Sequence, residues 1–487
     1  MTFDCDHQTT YSRDELRTRI VHIGCGAFHR GHQAVYNDIC NDLEPEDLWG
    51  IAEVSLRGST SIAQDLRDQE MAFCVLETSA HGSETRLIRT VTGATDTAHE
   101  GYGRVEEWFA QPELSIISLT VTEKGYCVHP STGELNLDHP DITHDLLNPQ
   151  QPKSAIGLIA KAICTRYDLA LTGISVLSCD NMPENGDVLK SAVMGFLLKV
   201  NPEVANWAKS NVSFPSTMVD RIVPAMTEHS HQQLKALVGA DDKCGVVGES
   251  FKQWVIEDNF VAGRPNWQLA GASLVSDVVP YEEMKLRLLN GSHTFLAIVG
   301  SLMGIQSVSQ AVVHPELKPA LLTLMHTQKR SLNPKLNIDI GVYISALITR
   351  FENPNIEHLL KQIATDSSQK IPVRLIAPMK TLREMNQSIE PQLFLLAAWV
   401  KFVERYANEG LADPKSDVLS ELVPSLQANE SICQRVLVTS GFFELEDPIF
   451  SDLLPSIESW YNQIQERGVS TALNSLSSKS LHTKGMQ

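Results

Sequence analysis

A lysine, an asparagine and a histidine stand in the segment EEMKLRLLNGSHTFL, residues 282–296, which otherwise reads as a buried helix. Loss of water around Lys285 would lower its pKa towards neutrality, so that its amine could accept a hydroxyl proton. The Asn290 amide could hydrogen-bond an oxygen on which negative charge develops. His293 could bind a neighbouring hydroxyl, and Glu282 could carry protons towards solvent. Together these groups suit metal-free oxidation of a carbinol or reduction of a carbonyl.

The spacing of these four residues predicts a shared helical face. At about 100° per residue they fall at roughly 60°, 0°, 140° and 80° around an α-helix, for Glu282, Lys285, Asn290 and His293 in that order. Gly291 costs an α-helix roughly 0.5–1 kcal/mol, so it predicts that another group packs closely there. The alternative is structural, with a hydrogen-bonded core histidine and a lysine whose charged end reaches solvent.

Two glycines mark a candidate dinucleotide loop. Gly24 and Gly26 lie between a predicted strand and a predicted helix in RIVHIGCGAFHRGHQAVYNDIC. Gly24 would allow a tight turn, and Gly26 would let the backbone approach a pyrophosphate at the helix N-terminus. His29 stands where the motif G-x-G-x-x-G has its third glycine, and such a partial motif also occurs in ordinary turns. Arg30 could bind phosphate, or it could be a surface arginine.

The second predicted strand, WGIAEVSL, bears on the choice of cofactor. A carboxylate that binds the ribose of NAD normally stands near the end of this strand. Here Glu53 lies well inside the strand, and Arg57 follows it. The residues therefore leave the choice between NAD and NADP open.

The pattern of elements changes near Pro280. Before that residue, apolar runs that predict buried strands alternate with helical patterns, which favours a parallel α/β sheet. These runs are RIVHIG, WGIAEVSL, LSIISLTV, GISVLSC and ASLVSDVV. After it, long helical patterns predominate. We expect a dinucleotide-binding domain at residues 1–280, a helical substrate and catalytic domain at residues 281–487, and a frayed tail from about Ser470.

The charge balance limits the partners. The chain has 487 residues, with 59 acidic and 40 basic side chains, and its formal net charge of −19 argues against nucleic acid or an anionic membrane. An anionic substrate would need local positive charge. Lys370 and Arg374 in SSQKIPVRL could supply it, because an arginine fork binds a carboxylate through two hydrogen bonds. A solvated basic face is the alternative.

Cysteine usage and the N-terminus indicate the compartment. The nine cysteines form no C-x-x-C pair, which argues against a zinc ribbon or a disulfide framework. The polar start MTFDCDHQTT lacks a signal-peptide pattern, so we expect a cytoplasmic protein. The histidine pairs in HRGH and HSH lack further ligands, so no metal is predicted.

Five segments resemble the polyol-specific long-chain dehydrogenase/reductase family, also called the mannitol dehydrogenase family. They are GCGAFHRGHQ, SLTVTEKGY, SCDN, TMVDRIVP and the pattern K-x-x-x-x-N-x-x-H, and the resemblance runs from Arg19 to beyond Arg374. It implies an α/β fold with a Rossmann-type N-terminal domain and a mostly helical C-terminal domain. It also implies NAD as cofactor, no zinc, and a site in the cleft between the domains.

The resemblance assigns catalytic roles to individual residues. Lys285 matches the general base, and Asn290 and Asn181 match the two asparagines that polarise the reacting oxygen. His293 matches a substrate-binding histidine and Glu282 a proton-channel glutamate.

The same resemblance assigns the cofactor contacts and the substrate class. It places Gly24, Gly26, Phe28 and Arg30 at the cofactor, with Asp220 lining the cofactor cleft. Within the family, NPQQPKSAIG and FKQWVIEDNFVAGRPNW most resemble the branch that reduces D-fructuronate to D-mannonate with NADH. The alternatives are a mannitol 2-dehydrogenase or another polyol or ketose dehydrogenase of the family, and a non-catalytic dinucleotide-binding protein.

Overall fold

A computed structural model of the chain describes residues 2–58, 61–129, 132–355, 358–407, 409–425 and 430–483. The chain divides into two compact units, Met1–Val279 and Pro280–Gln487. The strands of the first unit are β1 (Thr18–Ile23), β2 (Gly50–Ser55), β3 (Phe73–Ser79), β4 (Gly82–Ile88), β5 (Val91–Asp96), β6 (Ile116–Leu119), β7 (Ile174–Ser178), β8 (Val212–Ser213), β9 (Thr217–Asp220), β10 (Val246–Glu249), β11 (Gln253–Glu257) and β12 (Ser273–Val275).

Six of these strands form one sheet in the order β5-β2-β1-β6-β7-β8. All neighbouring pairs in it are parallel. Numbered within this sheet alone, the order is 3-2-1-4-5-6, which is that of the dinucleotide-binding fold. The sequence prediction of a Rossmann-type α/β domain is therefore confirmed.

Helices of the first unit connect these strands and cover the sheet. They are α1 (Ala27–Gly31), α2 (Gln33–Leu43), α3 (Ile62–Asp68), α4 (Thr97–Glu100), α5 (Gly103–Phe109), α6 (Pro140–Leu147), α7 (Ala155–Asp168), α8 (Asn185–Val200), α9 (Pro202–Asn211) and α10 (Glu228–Val238). Short 3-10 turns lie at Arg13–Glu15, Glu123–Tyr126 and Trp267–Ala270. The predicted single helix after the glycines is split at His32, which separates α1 from α2.

Two three-stranded sheets complete the first unit, in the orders β10-β3-β4 and β12-β11-β9. The antiparallel hairpin of β3 and β4 was not predicted, because β4 begins with exposed polar residues. The run ASLVSDVV does contain a strand, β12, but this strand pairs with β11 instead of joining the main sheet. The expectation that it is buried was wrong, since none of its three residues is buried.

The second unit is helical, as predicted. Its helices are α11 (Val279–Met284), α12 (Gly291–Leu302), α13 (Val308–Val312), α14 (Leu317–Lys329), α15 (Ile340–Phe351), α16 (Leu360–Ile363), α17 (Ser367–Ile371), α18 (Ala377–Glu384), α19 (Glu390–Tyr406), α20 (Ser416–Ser425), α21 (Ile432–Thr439) and α22 (Pro448–Thr483), the last interrupted at Gly468. Aromatic residues that include Phe295, Phe394, Trp399 and Trp460 fill its core.

Residues 470–483 depart from the predicted frayed tail, whose last four residues lie outside the described part of the chain. Helix α22 continues to Thr483, and Ala472, Leu473 and Leu476 are buried in the core of the second unit. Their spacing puts them on one face of the helix, which the serine-rich composition concealed. Among the described residues, no helix combines the length and apolar character needed to cross a membrane.

Candidate active site

The segment from Lys285 to Asn290 is a π-helical turn between α11 and α12. A π-helix hydrogen-bonds residue i to i+5, whereas an α-helix uses i+4. Lys285 and Asn290 are five positions apart, so the wider turn stacks them as neighbours along the axis. The α-helical angle of roughly 140° predicted between them was therefore wrong, and the change of register brings the two groups closer in azimuth.

Each of the predicted catalytic residues of this segment is buried. Glu282, Lys285, Asn290 and His293 are between 7% and 9% exposed. Burial lowers the pKa of the His293 imidazole, and Lys285 is among the charges near enough to lower it further. The structure thus brings the lysine, the asparagine and the histidine into one region of the second unit.

A second π-helical turn, Pro372–Ile376, packs against the first. A Cβ atom on Gly291 would lie 2.8 Å from Gln328 Oε1 and 3.4 Å from the carbonyl oxygen of Arg374. The Gln328 side-chain amide in turn donates to that carbonyl at 3.0 Å. The close packing predicted at Gly291 is confirmed, and its cause is that the two π-helical turns meet there.

Arg374 is a half-buried cation. Its guanidinium donates to Thr294 Oγ1 at 3.2 Å and approaches the Asn290 carbonyl oxygen at 3.5 Å. Burial lowers its pKa to about 10. Within the described part of the chain it forms no ion pair with a carboxylate, although a guanidinium has five N–H donors. The geometry suits an incoming anion.

Lys370 lies near Arg374, but its ammonium already has two hydrogen-bond acceptors. Its ammonium donates to the carbonyl oxygen of Ile363, the last residue of α16, at 3.2 Å, and to that of Thr365, two residues further on, at 2.5 Å. Burial lowers the pKa of Lys370, and the charge of Arg374 lowers it further. Cations stabilise a helix C-terminus, so Lys370 has a structural role that the sequence did not reveal.

His293 is neutral at physiological pH. Burial lowers its pKa well below the usual value, and the nearby charges of His358, Arg350, Arg374 and Lys285 lower it further. Its ring centroid lies 4.7 Å from that of Phe351. The Nε2 atom has no hydrogen-bond partner in the parts of the chain that the structure describes. A buried, neutral ring nitrogen of this kind is suited to a substrate hydroxyl.

In the first unit, the glycine loop opens at the carboxyl edge of the sheet. Gly24 has φ +109°, and a Cβ atom there would lie 2.2 Å from the Thr120 carbonyl oxygen, so the turn requires glycine. A Cβ atom on Gly26 would meet no atom within 4 Å, so a ligand can approach the backbone. Since β1 lies between β2 and β6, the loop stands at the point where the strand order reverses. These features fit a dinucleotide.

A cavity of about 280 Å³ adjoins this loop. Its lining comes from the ends of β1, β2 and β6 and the start of α7, and includes Gly24, Gly26, Arg57, Val121, Asp141 and Ser154. The Arg57 side chain is 70% exposed and lies 3.6 Å from the Asp141 carboxylate. The Asp141 carboxylate therefore places a negative charge beside Arg57, the residue that left NADP open as the cofactor.

Arg30 and Phe28, which the resemblance places at the cofactor, both contact other residues of the first unit. Arg30 is buried and donates to the backbone carbonyl oxygens of Cys25 and Cys244. It thus braces the glycine loop from within. The Phe28 ring stacks on His32 at 5.0 Å and is half-buried.

The segment SCDN begins at the last residue of β7, and Asp180 anchors it. The Asp180 carboxylate accepts from the backbone N–H groups of Val121 and Thr122, at 3.1 and 2.9 Å, and from the Tyr126 hydroxyl at 2.8 Å. Asp180 therefore fixes the segment that carries Asn181 to the neighbouring strand end. The sequence analysis missed this residue, although the adjacent motifs TEKGY and SCDN pointed to it.

Asp220 ends β9, where its backbone pairs with Gln253 of β11. It is 7% exposed. The next residue, Arg221, is also buried and donates to the Glu77 carboxylate and to the Gly31 carbonyl oxygen at the end of α1. Within the described residues, no cluster of three or more histidine, cysteine, aspartate or glutamate side chains is arranged to hold a metal ion.

Comparisons with known proteins cover both units. Residues 18–269 match the model of the mannitol dehydrogenase Rossmann domain, and residues 277–465 match that of the mannitol dehydrogenase C-terminal domain. The chain is similar to the oxidoreductase YeiQ of Escherichia coli K12, with 41% identity over 478 residues and 96% of each chain covered. It is 40% identical to the D-mannonate oxidoreductase of the same organism over 465 residues, covering 94% of this chain and 96% of the relative.

Among solved structures, the fold resembles mannitol 2-dehydrogenase from Pseudomonas fluorescens, solved in a ternary complex with NAD and D-mannitol. The TM-score is 0.78 at 34% identity, with 97% of this chain and 96% of that chain covered.

Proposed function

The chain belongs to the mannitol dehydrogenase family of oxidoreductases, and on that premise we propose that it interconverts D-fructuronate and D-mannonate with NAD as cofactor. The observation that carries the choice of a sugar acid is Arg374. A half-buried guanidinium that contacts Thr294 Oγ1 and the Asn290 carbonyl oxygen, and has no carboxylate partner among the described residues, fits the carboxylate of such a substrate. The similarity to D-mannonate oxidoreductase supports the same choice.

Lys285 is the proposed general acid and base. In the direction of reduction its ammonium donates a proton to the oxygen of the ketone, and in oxidation its amine accepts the proton of the hydroxyl. Bound NADH or NAD supplies or accepts the hydride. Because Lys285 and Asn290 share one π-helical turn, the amide can donate to the oxygen that receives the proton. Asn181, held by its neighbour Asp180, is the proposed second donor.

His293 and Glu282 complete the proposed site. The neutral His293 ring, with its Nε2 atom unpartnered in the described chain, binds a hydroxyl next to the reacting carbon. Glu282 lies one helical turn before Lys285 on a buried face and relays its proton to solvent. Lys370 contributes positive charge near Arg374, while its ammonium remains bound to two backbone carbonyls.

The cofactor assignment rests on the first unit. Gly24 and Gly26 form the pyrophosphate loop, Phe28 and Asp220 line the binding region, and Arg30 supports the loop from below. We favour NAD over NADP, because Arg57 stands beside the Asp141 carboxylate, which would repel a 2′-phosphate. All nine cysteines are unpaired thiols, and we place the reaction in the cytoplasm.

A substrate panel tests this proposal. Initial rates with NADH and NADPH should be measured on fructuronate, tagaturonate and fructose, and the reverse reaction on mannonate and mannitol with NAD. We expect the highest kcat/KM for fructuronate with NADH. A preference for fructose and mannitol would instead assign the chain to mannitol 2-dehydrogenases, the second candidate, which the solved mannitol complex of the Pseudomonas fluorescens relative favours. Absence of NADH and NADPH binding would reject both.

A further inference from the structure

Three ionisable side chains form a fully buried column beneath the glycine loop. His22 lies on β1, His29 on α1 and Glu53 on β2, and each is 0% exposed. The two imidazole rings stack with centroids 3.5 Å apart and planes within 14°. The column therefore joins the strand before the loop, the helix after it and the neighbouring strand. The proposed mechanism assigns no step to any of these groups.

The hydrogen bonds of His22 fix its tautomer. Its Nε2 atom lies 3.0 Å from the carbonyl oxygen of Gly24, and its Nδ1 atom lies 2.8 Å from Ser118 Oγ. A carbonyl oxygen can only accept, so the Nε2 atom carries the proton that is donated to Gly24. Burial lowers the pKa of His22 well below its usual value, which keeps the ring neutral. His22 is thus an oriented donor aimed at the first glycine.

The Gly24 carbonyl oxygen gathers three donors. Besides His22, it accepts from the Gly26 backbone N–H at 2.7 Å and from Thr120 Oγ1 at 3.1 Å. The peptide between Gly24 and Cys25 therefore cannot turn without breaking all three bonds. This peptide follows the residue with φ +109°, so its orientation decides where the rest of the loop lies.

His29 and Glu53 hold His22 in this orientation. His29 Nε2 lies 3.4 Å from Glu53 Oε1, an ion-pair distance without the alignment of a hydrogen bond. Burial alone would raise the pKa of Glu53, but the charges of His29 and Arg30 outweigh it, so the pKa of this carboxyl lies below its usual value. The Glu53 carboxylate therefore lies beside His29, whose ring stacks on the neutral ring of His22.

We infer that His22 and Thr120 are positioning residues for the cofactor, which preset the Gly24 carbonyl so that the loop is already in its binding conformation. This inference rests on the proposed function. Preorganisation of a loop raises affinity because less order is lost on binding. A merely structural role would affect the stability of the first unit without changing its affinity for the cofactor.

Matched threonine variants separate these two roles. Thr120→Val removes one donor to the Gly24 carbonyl, and His22→Phe removes another while keeping a ring to stack on His29. Thr90→Val is the control, because the hydroxyl of the fully buried Thr90 likewise donates to a backbone carbonyl oxygen, that of Trp49, at 3.1 Å. Thr90 precedes β5, so it lies at the opposite edge of the parallel sheet from the loop.

The experiment measures the Kd for NADH by fluorescence titration, the Tm of the protein without cofactor, and KM and kcat with saturating fructuronate. Thr120→Val and His22→Phe should each raise Kd and the KM for NADH by about three- to tenfold, with a smaller change in kcat. Thr90→Val should lower Tm with Kd unchanged.

The possible failures are distinct. If the wild-type protein binds NADH and Thr120→Val shifts Tm but not Kd, the positioning role is rejected and the proposed function stands. An increase in Kd for Thr90→Val equal to that for Thr120→Val would also reject it, because affinity would then follow general stability. If the wild-type protein binds neither NADH nor NADPH, the proposed function fails and the inference fails with it. If His22→Phe folds, its Kd is the quantity that is interpreted. If His22→Phe does not fold, Thr120→Val alone decides the question.

Discussion

Lys285 and Asn290 are the first and last residues of one π-helical turn. The i to i+5 register of that turn makes them neighbours along the axis, an arrangement that an α-helix of the same sequence would not give. A single-turn π-helix is a common feature of functional sites, because it is less stable than an α-helix and persists when its side-chain geometry is useful. In the proposed mechanism, this turn carries both the proton donor and the amide that binds the reacting oxygen.

Replacing Lys285 with alanine should leave the fold and NADH binding intact and reduce kcat by about 10²–10⁴-fold, the usual contribution of a general acid or base. Steady-state rates, with Tm and NADH titration as controls for folding, provide the measurement. Tyr281 and Lys285 also match the pattern Y-x-x-x-K, the catalytic pair of short-chain dehydrogenases. Tyr281→Phe is therefore the matched control, and it should change turnover little. Wild-type turnover in folded Lys285→Ala protein would remove the lysine from the mechanism.

Gly291→Ala should destabilise the second unit by about 1–3 kcal/mol and lower kcat/KM, because the added methyl group would overlap Gln328 Oε1. Gln328 is fully buried and bound to the Arg374 carbonyl, so it cannot move without shifting the second π-helical turn. Urea unfolding and kinetics on fructuronate measure the two effects.

Gly195→Ala in α8 is the control for this glycine variant. A Cβ atom there meets Leu135 at an ordinary 3.4 Å, so alanine should stabilise the helix by up to about 1 kcal/mol. If both alanine variants are equally stable and active, the packing between the two π-helical turns has no role in the site.

The sequence predicted the parts of the fold that periodicity encodes. The central strands β1, β2, β6 and β7 are short, mostly apolar runs, because a parallel sheet with both faces covered buries most residues of such a strand. The helical character of the second unit followed from its long amphipathic patterns. Hairpin β3–β4 was missed because an edge strand with a solvated end alternates too weakly.

The details of the site depended on contacts that are distant in sequence. Arg30 was expected to face phosphate or solvent, yet it is buried because the Cys244 carbonyl, 214 residues away, accepts from it. The capping role of Lys370 likewise depends on where α16 ends. No characteristic residue composition marks a π-helical turn. The sequence of residues 285–290 therefore predicted an α-helix.

Arg374→Met should raise the KM for fructuronate by about ten- to a hundredfold and change the KM for fructose much less, because a charge-assisted hydrogen bond contributes roughly 1.5–3 kcal/mol. Lys370→Met should have a smaller effect on the same ratio, since its ammonium is held by two backbone carbonyls. Lys380→Met, at an exposed position on α18, controls for loss of one positive charge. Equal losses on both substrates would show that Arg374 acts on the fold and does not recognise the carboxylate.

Acid should destabilise the first unit through His32. Burial lowers the pKa of His32 to about 3, against about 6.5 in an unfolded chain. The folded state holds this ring neutral. Above pH 6.5 the ring is neutral in the unfolded chain too, so it does not change the free energy of unfolding. Below that pH only the unfolded chain takes up the proton, so the free energy of unfolding falls as the pH falls. At pH 5 the loss is about 2 kcal/mol. The rise in stability with pH follows from the greater proton uptake of the unfolded state.

His32→Gln removes this titration, so the stability difference between wild type and variant should shrink by about 2 kcal/mol between pH 7.5 and pH 5. Other buried histidines, such as His22, titrate in both proteins and cancel in the difference. Urea unfolding followed by tryptophan fluorescence is a suitable measurement, since the Trp254 ring lies 5.5 Å from His32 and reports on this unit. The ionisable groups that act on His32 are Arg221, Asp220 and His29, and their effects on its pKa are smaller than that of burial. A difference that stays constant across this pH range would mean that His32 takes up its proton in the folded protein as readily as in the unfolded chain.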